Sequence, residues 1–166
     1  MKQSSISLDK LKLGKHNEDR VEIFLKNKGW NVKRNTFYDN SGNEVSQFIV
    51  INNYPKSYPD FTVEKYKDFI NIKYLVEVKS MRRYFVNGSP AVTIPCYQFL
   101  SYKDIQDSEE IPVHIVFILH EDAFDKEEWY TETLNKLNKS KTYIENAYKD
   151  EDKHFVWKLI NLKRME

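Results

Sequence analysis

Residues 113–119 read VHIVFIL, a run in which only His114 is polar. A short, β-branched, nearly continuous apolar run fits a strand covered on both faces. It calls for a sheet with helices flanking it rather than an open, half-solvated sheet. The other segments fit that demand. Residues 15–28, KHNEDRVEIFLKNK, predict a helix closed by Gly29, with Val21, Phe24, Leu25 and Lys28 as its inward stripe. NVKRNTFY reads as a strand, 39–43 as a turn and EVSQFIVIN as a second strand. A short strand is expected at 59–63, a connector at 64–68 and a strong strand at 71–79, rich in β-branched and aromatic residues. Asn87-Gly88 is a hairpin signal, and Pro95 opens a helix over 95–106. Beyond 119, the polar stretch 125–147 predicts a helix, and 154–162 a last strand. The expected fold class is α/β, a mixed central β-sheet with flanking helices, in one domain spanning 1–166.

Composition narrows the chemistry. Lys and Arg total 26 against 25 for Asp and Glu, so no global basic charge advertises a polyanion and any such site must be a local patch. The single cysteine, Cys96, excludes a disulfide framework, a cysteine-based zinc site and an iron–sulfur cluster, and fits a reducing cytoplasm. No apolar run approaches the roughly 18 residues of a membrane span, and the N-terminus lacks a signal-peptide core. His16, His114, His120 and His154 show no metal-ligand spacing, and no Gly-rich phosphate loop occurs.

Three charged groups stand where a strand would not choose them. Asp60 follows Pro59, and Glu77 and Lys79 interrupt the apolar run Ile72, Tyr74, Leu75, Val76, Val78. Side chains alternate along a strand, so Glu77 and Lys79 share one face while Val76 and Val78 bury the other. If Asp60 lies on the neighbouring strand at matching height, two carboxylates meet, and they repel unless a cation or a proton sits between them. A hard divalent cation such as Mg²⁺ accepts this kind of oxygen set. Lys79 beside it can orient a water or stabilise phosphate charge. On the first helix, at about 100° per residue, Glu18 falls about 60–70° from the centre of the apolar stripe, close enough to lean over a sheet edge. Glu22 lies further round and is expected in solvent.

Pro59-Asp60, Glu77-Val78-Lys79 and an acid on a preceding helix together resemble the PD-(D/E)XK nuclease superfamily. The segment from Gly14 through Glu18 to Gly29 is similar to the opening of its Holliday junction resolvase-like members. The resemblance covers about residues 14–120 and implies a restriction endonuclease-like αβββαβ core, with 121–166 as a C-terminal helix–strand extension. It implies metal ligation by Asp60, Glu77, the Val78 carbonyl and Glu18, with Lys79 assisting the attacking water. Members often carry a glutamine and a tyrosine on the helix after the third strand. Gln98 and Tyr102 match, at a spacing that puts both on one helix face.

The activity implied by the resemblance is that of an Mg²⁺-dependent (or Mn²⁺-dependent) DNA endonuclease acting on branched, recombination or restriction substrates. Lys15, Arg82, Arg83, Tyr102 and Lys103 are the expected DNA contacts, with Lys12, Lys33 and Arg34 also near the site in sequence. Near-neutral charge departs from the basic resolvases and leaves room for a protein partner that supplies DNA affinity. Paired cuts would favour a homodimer. The rival expectation is a catalytically silent nuclease fold that binds DNA or protein without cutting.

Overall fold

A computed structural model of the chain describes residues 4–35, 37–38, 44–45, 48–120, 127–145 and 153–166. The strand demanded by VHIVFIL is there and is covered on both sides. In chain order the described elements are α1 (Ser4–Asn27), β1 (Asn31–Arg34), β2 (Phe37–Tyr38), β3 (Glu44–Val45), β4 (Phe48–Ile51), β5 (Tyr54–Ser57), β6 (Phe61–Lys67) and β7 (Ile70–Arg82). They continue with β8 (Tyr84–Val86), β9 (Ser89–Pro95), α2 (Cys96–Glu109), β10 (Val113–His120), β11 (Glu127–Thr133), α3 (Leu134–Ser140), β12 (Thr142–Glu145), β13 (Lys153–Lys158) and β14 (Lys163–Arg164). A six-stranded sheet runs β1-β6-β7-β10-β11-β14, and a four-stranded sheet runs β12-β13-β9-β8. The first sheet is mixed: β7 and β10 are parallel, from Leu75↔Val113 to Arg82↔His120, while β6 and β11 flank them antiparallel.

Side-chain alternation along β7 and β10 divides the core in two. Val76, Val116 and Ile118 join Phe61, Val63 and Val21 under α1. Leu75, Ile115, Phe117 and Leu119 face Phe99, Tyr102 and Ile105 of α2, with Val92, Ile94 and Trp157 of the second sheet and Leu134 and Leu137 of α3. Glu77 and Lys79 lie on this second face by the same alternation.

Several local expectations are met for identifiable reasons. Gly29, at φ 81°, ends α1: its N–H bonds Lys26 O, and the Trp30 N–H reaches back to Leu25 O. This is a Schellman closure, in which the left-handed position suits glycine. Asn87 and Gly88, both at positive φ, turn the hairpin between β8 and β9.

Other expectations are corrected. The first helix begins at Ser4, not at 15. The 64–68 connector is instead the end of β6, which continues to Lys67 and turns at Asp68-Phe69, both at positive φ. Its charges are tolerated because they have partners: Glu64 pairs with Lys73 across the hairpin, and the Lys65 ammonium donates to the Lys28 carbonyl. Where the helix was expected over 125–147, the described residues 127–145 form a strand, a short helix and another strand. Trp129 and Tyr130 pack against opposite cores and β-branched Thr131 and Thr133 suit a strand, and the open edge of β10 takes β11 as its ladder partner. Thr133 then caps α3, its Oγ1 accepting the Lys136 N–H. The strand expected over 154–162 is β13, which stops at Lys158 and is followed by a 3-10 turn, Leu159–Asn161, before the two-residue β14. The turn expected at 39–43 lies outside the described residues.

Candidate active site

The site begins where β6 ends its ladder. Phe61 pairs with Val76, so one step earlier Asp60 comes opposite Glu77, and Pro59 comes opposite Val78. A proline has no N–H to continue the ladder. The Val78 N–H donates to a side chain instead of to the backbone, reaching Asp60 Oδ2 at 2.7 Å. Asn35, just past β1, fixes the backbone here: its N–H bonds Asp60 O at 2.9 Å, its amide donates to Pro59 O at 3.0 Å, and its Oδ1 accepts from the Thr62 hydroxyl at 2.8 Å.

Glu77 is buried, with 5% of its surface exposed, on the α2 face of the sheet. A carboxylate so placed needs partners, and it has two on one oxygen: Oε1 accepts from Tyr102 Oη at 2.7 Å and from Lys79 Nζ at 2.6 Å. The Lys79 ammonium also sits 5.4 Å from the centre of the Tyr102 ring. Among the described residues nothing hydrogen-bonds Asp60 Oδ1 or Glu77 Oε2.

The electrostatics express the crowding. Burial pushes the Asp60 carboxyl well above its ordinary range, and the charges of Glu77 and then Glu18 push it further; the Val78 N–H and Lys79 oppose them only in part. Burial works to lower Lys79, but Glu77 and Tyr102 outweigh it and raise it. Burial, then Glu77, raise the Tyr102 hydroxyl. The site therefore holds more negative charge than its one ammonium balances.

Glu18 is near enough for its charge to act on Asp60, yet its Oε2 lies 3.5 Å from Arg34 Nη1. Arg34 reaches back from β1 and also bonds Asp19 Oδ1 at 2.5 Å and Glu22 Oε2 at 2.6 Å. Glu22 is consequently not in solvent as expected. Its side chain is 19% exposed against 30% for Glu18, because Lys26 and Arg34 draw it in. Among the described residues no group of three or more His, Cys, Asp or Glu side chains is placed to hold a metal ion. Two acids adjoin, and the third is turned toward an arginine.

Of the other expected residues, only Tyr102 reaches the centre, and it does so fully buried rather than as a surface contact. Gln98, one turn earlier on α2, makes its hydrogen bond to Tyr97 Oη at 3.3 Å instead of to the acids. Lys15 and Arg82 are exposed. Lys103 pairs with Asp107, and Arg83 with Glu128. The sequence reading missed Asn35 and Asn17. Asn17 sits four residues before Val21, within the inward stripe, which was the signal available for it.

No protein-family model and no curated protein matches the sequence. Among solved structures, this one is similar to Archaeoglobus fulgidus Hjc, a Holliday junction resolvase from an archaeal hyperthermophile. The TM-score is 0.51 at 12% identity, over 89% of this chain and 85% of that one. It is also similar to D212, a nuclease from a fusselovirus, with a TM-score of 0.41 at 10% identity, over 99% of this chain and 89% of that one. With helices on a mixed sheet in this order, and Hjc superposing along most of its length, the chain has a restriction endonuclease-like α/β fold.

Proposed function

We propose that the chain is a divalent-metal-dependent DNA endonuclease whose catalytic residues are Asp60, Glu77 and Lys79, with Glu18 as an outer acid. The observation that carries this reading is the pair Asp60–Glu77 at the broken end of the β6 ladder, each carboxylate keeping one oxygen without a hydrogen bond among the described residues. The donor set suits Mg²⁺ or Mn²⁺: one or two carboxylates, here with the Val78 carbonyl as a further oxygen, and water in the remaining positions. Burial raises the pKa of the Asp60 carboxyl and the charges of Glu77 and Glu18 raise it further, and a cation between the acids would balance those charges.

A bound cation would polarise the scissile phosphate and lower the pKa of a nearby water. The chain's own residues would do the rest. Asp60 and Glu77 fix the position of that charge because each is tied down through its other oxygen, to Val78 N–H or to Tyr102 and Lys79. Lys79, held charged by Glu77, would orient the attacking water and offset charge on the phosphate. Exposed Lys15 and Arg82 would contact the DNA backbone. Gln98 and Lys103, both half-buried on α2, and Arg83 would contribute only after leaving their present partners. That Hjc is named as a Holliday junction resolvase makes branched DNA the first substrate class to try. A homodimer would allow paired cuts, and a protein partner could add the DNA affinity that a net charge of +1 withholds.

The test is a panel of junction, flap, hairpin and linear DNA incubated with Mg²⁺ or Mn²⁺. Cleavage is expected, and Asp60→Ala and Glu77→Ala should each abolish it while the fold persists. Intact DNA across the whole panel would defeat the proposal. One observation favours a binding-only module instead: Lys79 already balances the charge of Glu77, and Tyr102 hydrogen-bonds the same oxygen. Such a module would show no rise in melting temperature with Mg²⁺, whereas the nuclease should.

A further inference from the structure

The opposite face of β7 carries a polar cluster that this cleavage scheme leaves unused. Ser80 follows Lys79 and points to the α1 side of the sheet, where its Oγ lies 2.8 Å from His120 Nε2 at the end of β10. Asn17 Nδ2 donates to Ser80 Oγ at 2.8 Å and lies 3.2 Å from the same imidazole nitrogen. On its other side His120 Nδ1 faces Glu127 Oε1 at 3.3 Å, and Glu127 pairs with Arg20 of α1. Side chains of α1 thus grip the ends of β7, β10 and β11.

Asn17 is fully buried, and its Oδ1 has no hydrogen-bond partner among the described residues. Burying a half-satisfied amide is unfavourable, and an apolar side chain would fill the same space without that penalty. What the amide adds is direction. The apolar contacts of Val21 and Leu25 tolerate small rotations of the helix, but hydrogen bonds to Ser80 and His120 admit one setting. The residue governed most closely by that setting is the next one, Glu18. On its outer flank, Arg34 draws Glu18, Asp19 and Glu22 toward β1. Glu18 therefore stands between an inner polar tie and an outer guanidinium clamp.

We propose that Asn17, with Ser80 and His120, is a positioning device that fixes the rotation of α1 and so sets where Glu18, the outer acid, stands relative to a bound cation. The inference rests on the nuclease reading above. Asn17 touches no reacting atom in this scheme; it acts through Glu18.

The experiment is a double-mutant cycle in the full chain, with Asn17→Ala and Ser80→Ala each made alone and on a Glu18→Gln background. Mn²⁺ binding is read without DNA from the free-ion electron paramagnetic resonance signal, and cleavage is read in single turnovers. Loss of an outer partner should weaken Mn²⁺ binding about 10–100-fold. On the Glu18→Gln background either substitution should then add little, since both act through one residue. His120→Gln, which keeps an amide near the Nε2 position, should retain most of the affinity. If Asn17→Ala does not fold, Ser80→Ala, which removes a single oxygen, carries the test. Unchanged Mn²⁺ affinity, or losses that multiply with Glu18→Gln, would overturn the positioning role and leave the nuclease reading standing. A wild-type chain that neither binds Mn²⁺ nor cuts DNA would overturn both.

Discussion

Asp60 is asked to remain a carboxylate in a place that resists it. Its pKa is raised in the folded chain, first by burial and then by Glu77 and Glu18, so folding favours the protonated form. Its contribution to stability is complete below the ordinary value of 3.8 and is lost as pH rises through the folded value. As pH rises above 3.8 the group therefore increasingly opposes folding. Asp60→Asn keeps an acceptor for the Val78 N–H and removes the charge. In a chelator at neutral pH the variant should melt a few degrees above wild type, and the gap should narrow as pH is lowered. Added Mg²⁺ should raise the melting temperature of wild type alone. A variant that melts lower at neutral pH would contradict the account. Tyr102→Phe probes the neighbouring acid: it deletes one hydrogen bond to a charged group and leaves the ring under Lys79. Urea denaturation should show a loss of about 1.5–3 kcal/mol; no loss would mean that the bond to Glu77 is not made. That Glu77 and Lys79 share a face was legible in the sequence, because strand alternation is local. The meeting of Asp60 with Glu77 depended on a matching height that only the β6–β7 register supplies. Arg34 over Glu18 was not legible, because it depends on which strand packs beside α1.

At the scale of elements, β1 and α1 are joined by one guanidinium. Arg34 meets Glu18, Asp19 and Glu22 and lies 5.4 Å from the Phe61 ring. Its pKa is raised: burial works against the charge, but Glu22 and Asp19 more than compensate. Arg34→Met preserves much of the contact with Phe61 and leaves three acids without their common counter-ion. The variant should lose stability at low ionic strength and regain part of it at high salt, where the repulsion among the acids is screened. Equal loss at all salt concentrations would show that packing, not charge, is what Arg34 supplies. Elements with a strong local period or turn signal were readable: β10 from its apolar run, the β8–β9 hairpin from Asn87-Gly88, α2 from Pro95 onward. β11 was not, because Glu127, Glu128 and Glu132 suit an exposed helix as well as a strand. The open edge of β10 decides between the two, and that edge exists only once the sheet is assembled.

For the whole molecule, the same edge argues against treating residues beyond His120 as an appendage. The sequence motifs that resemble the nucleases end near residue 120, yet the later strands are interleaved with the earlier ones. β11 closes the far side of β10, and β13 pairs with β9 to complete the second sheet. Trp157, 1% exposed, packs at 5.5 Å from Phe99 of α2 and donates its indole N–H to Leu137 O at 2.8 Å. Leu134, Leu137, Leu159 and Leu162 belong to the same core as Leu75 and Ile115. A chain ending at His120 would present β10 as an unpaired, apolar edge and would open the α2 side of the core to water. Such an edge is a template for intermolecular pairing. Truncation after His120 should therefore give insoluble or non-cooperatively melting protein, although Glu18, Asp60, Glu77 and Lys79 are all present. Supplying 121–166 as a separate peptide during refolding should recover part of the cooperative transition, because the lost contacts are side-chain packing and ladder bonds rather than chain connectivity. A soluble 1–120 fragment with a sharp melt and native-like chemical shifts at Tyr102 would refute this and make the site self-sufficient on its first three-quarters.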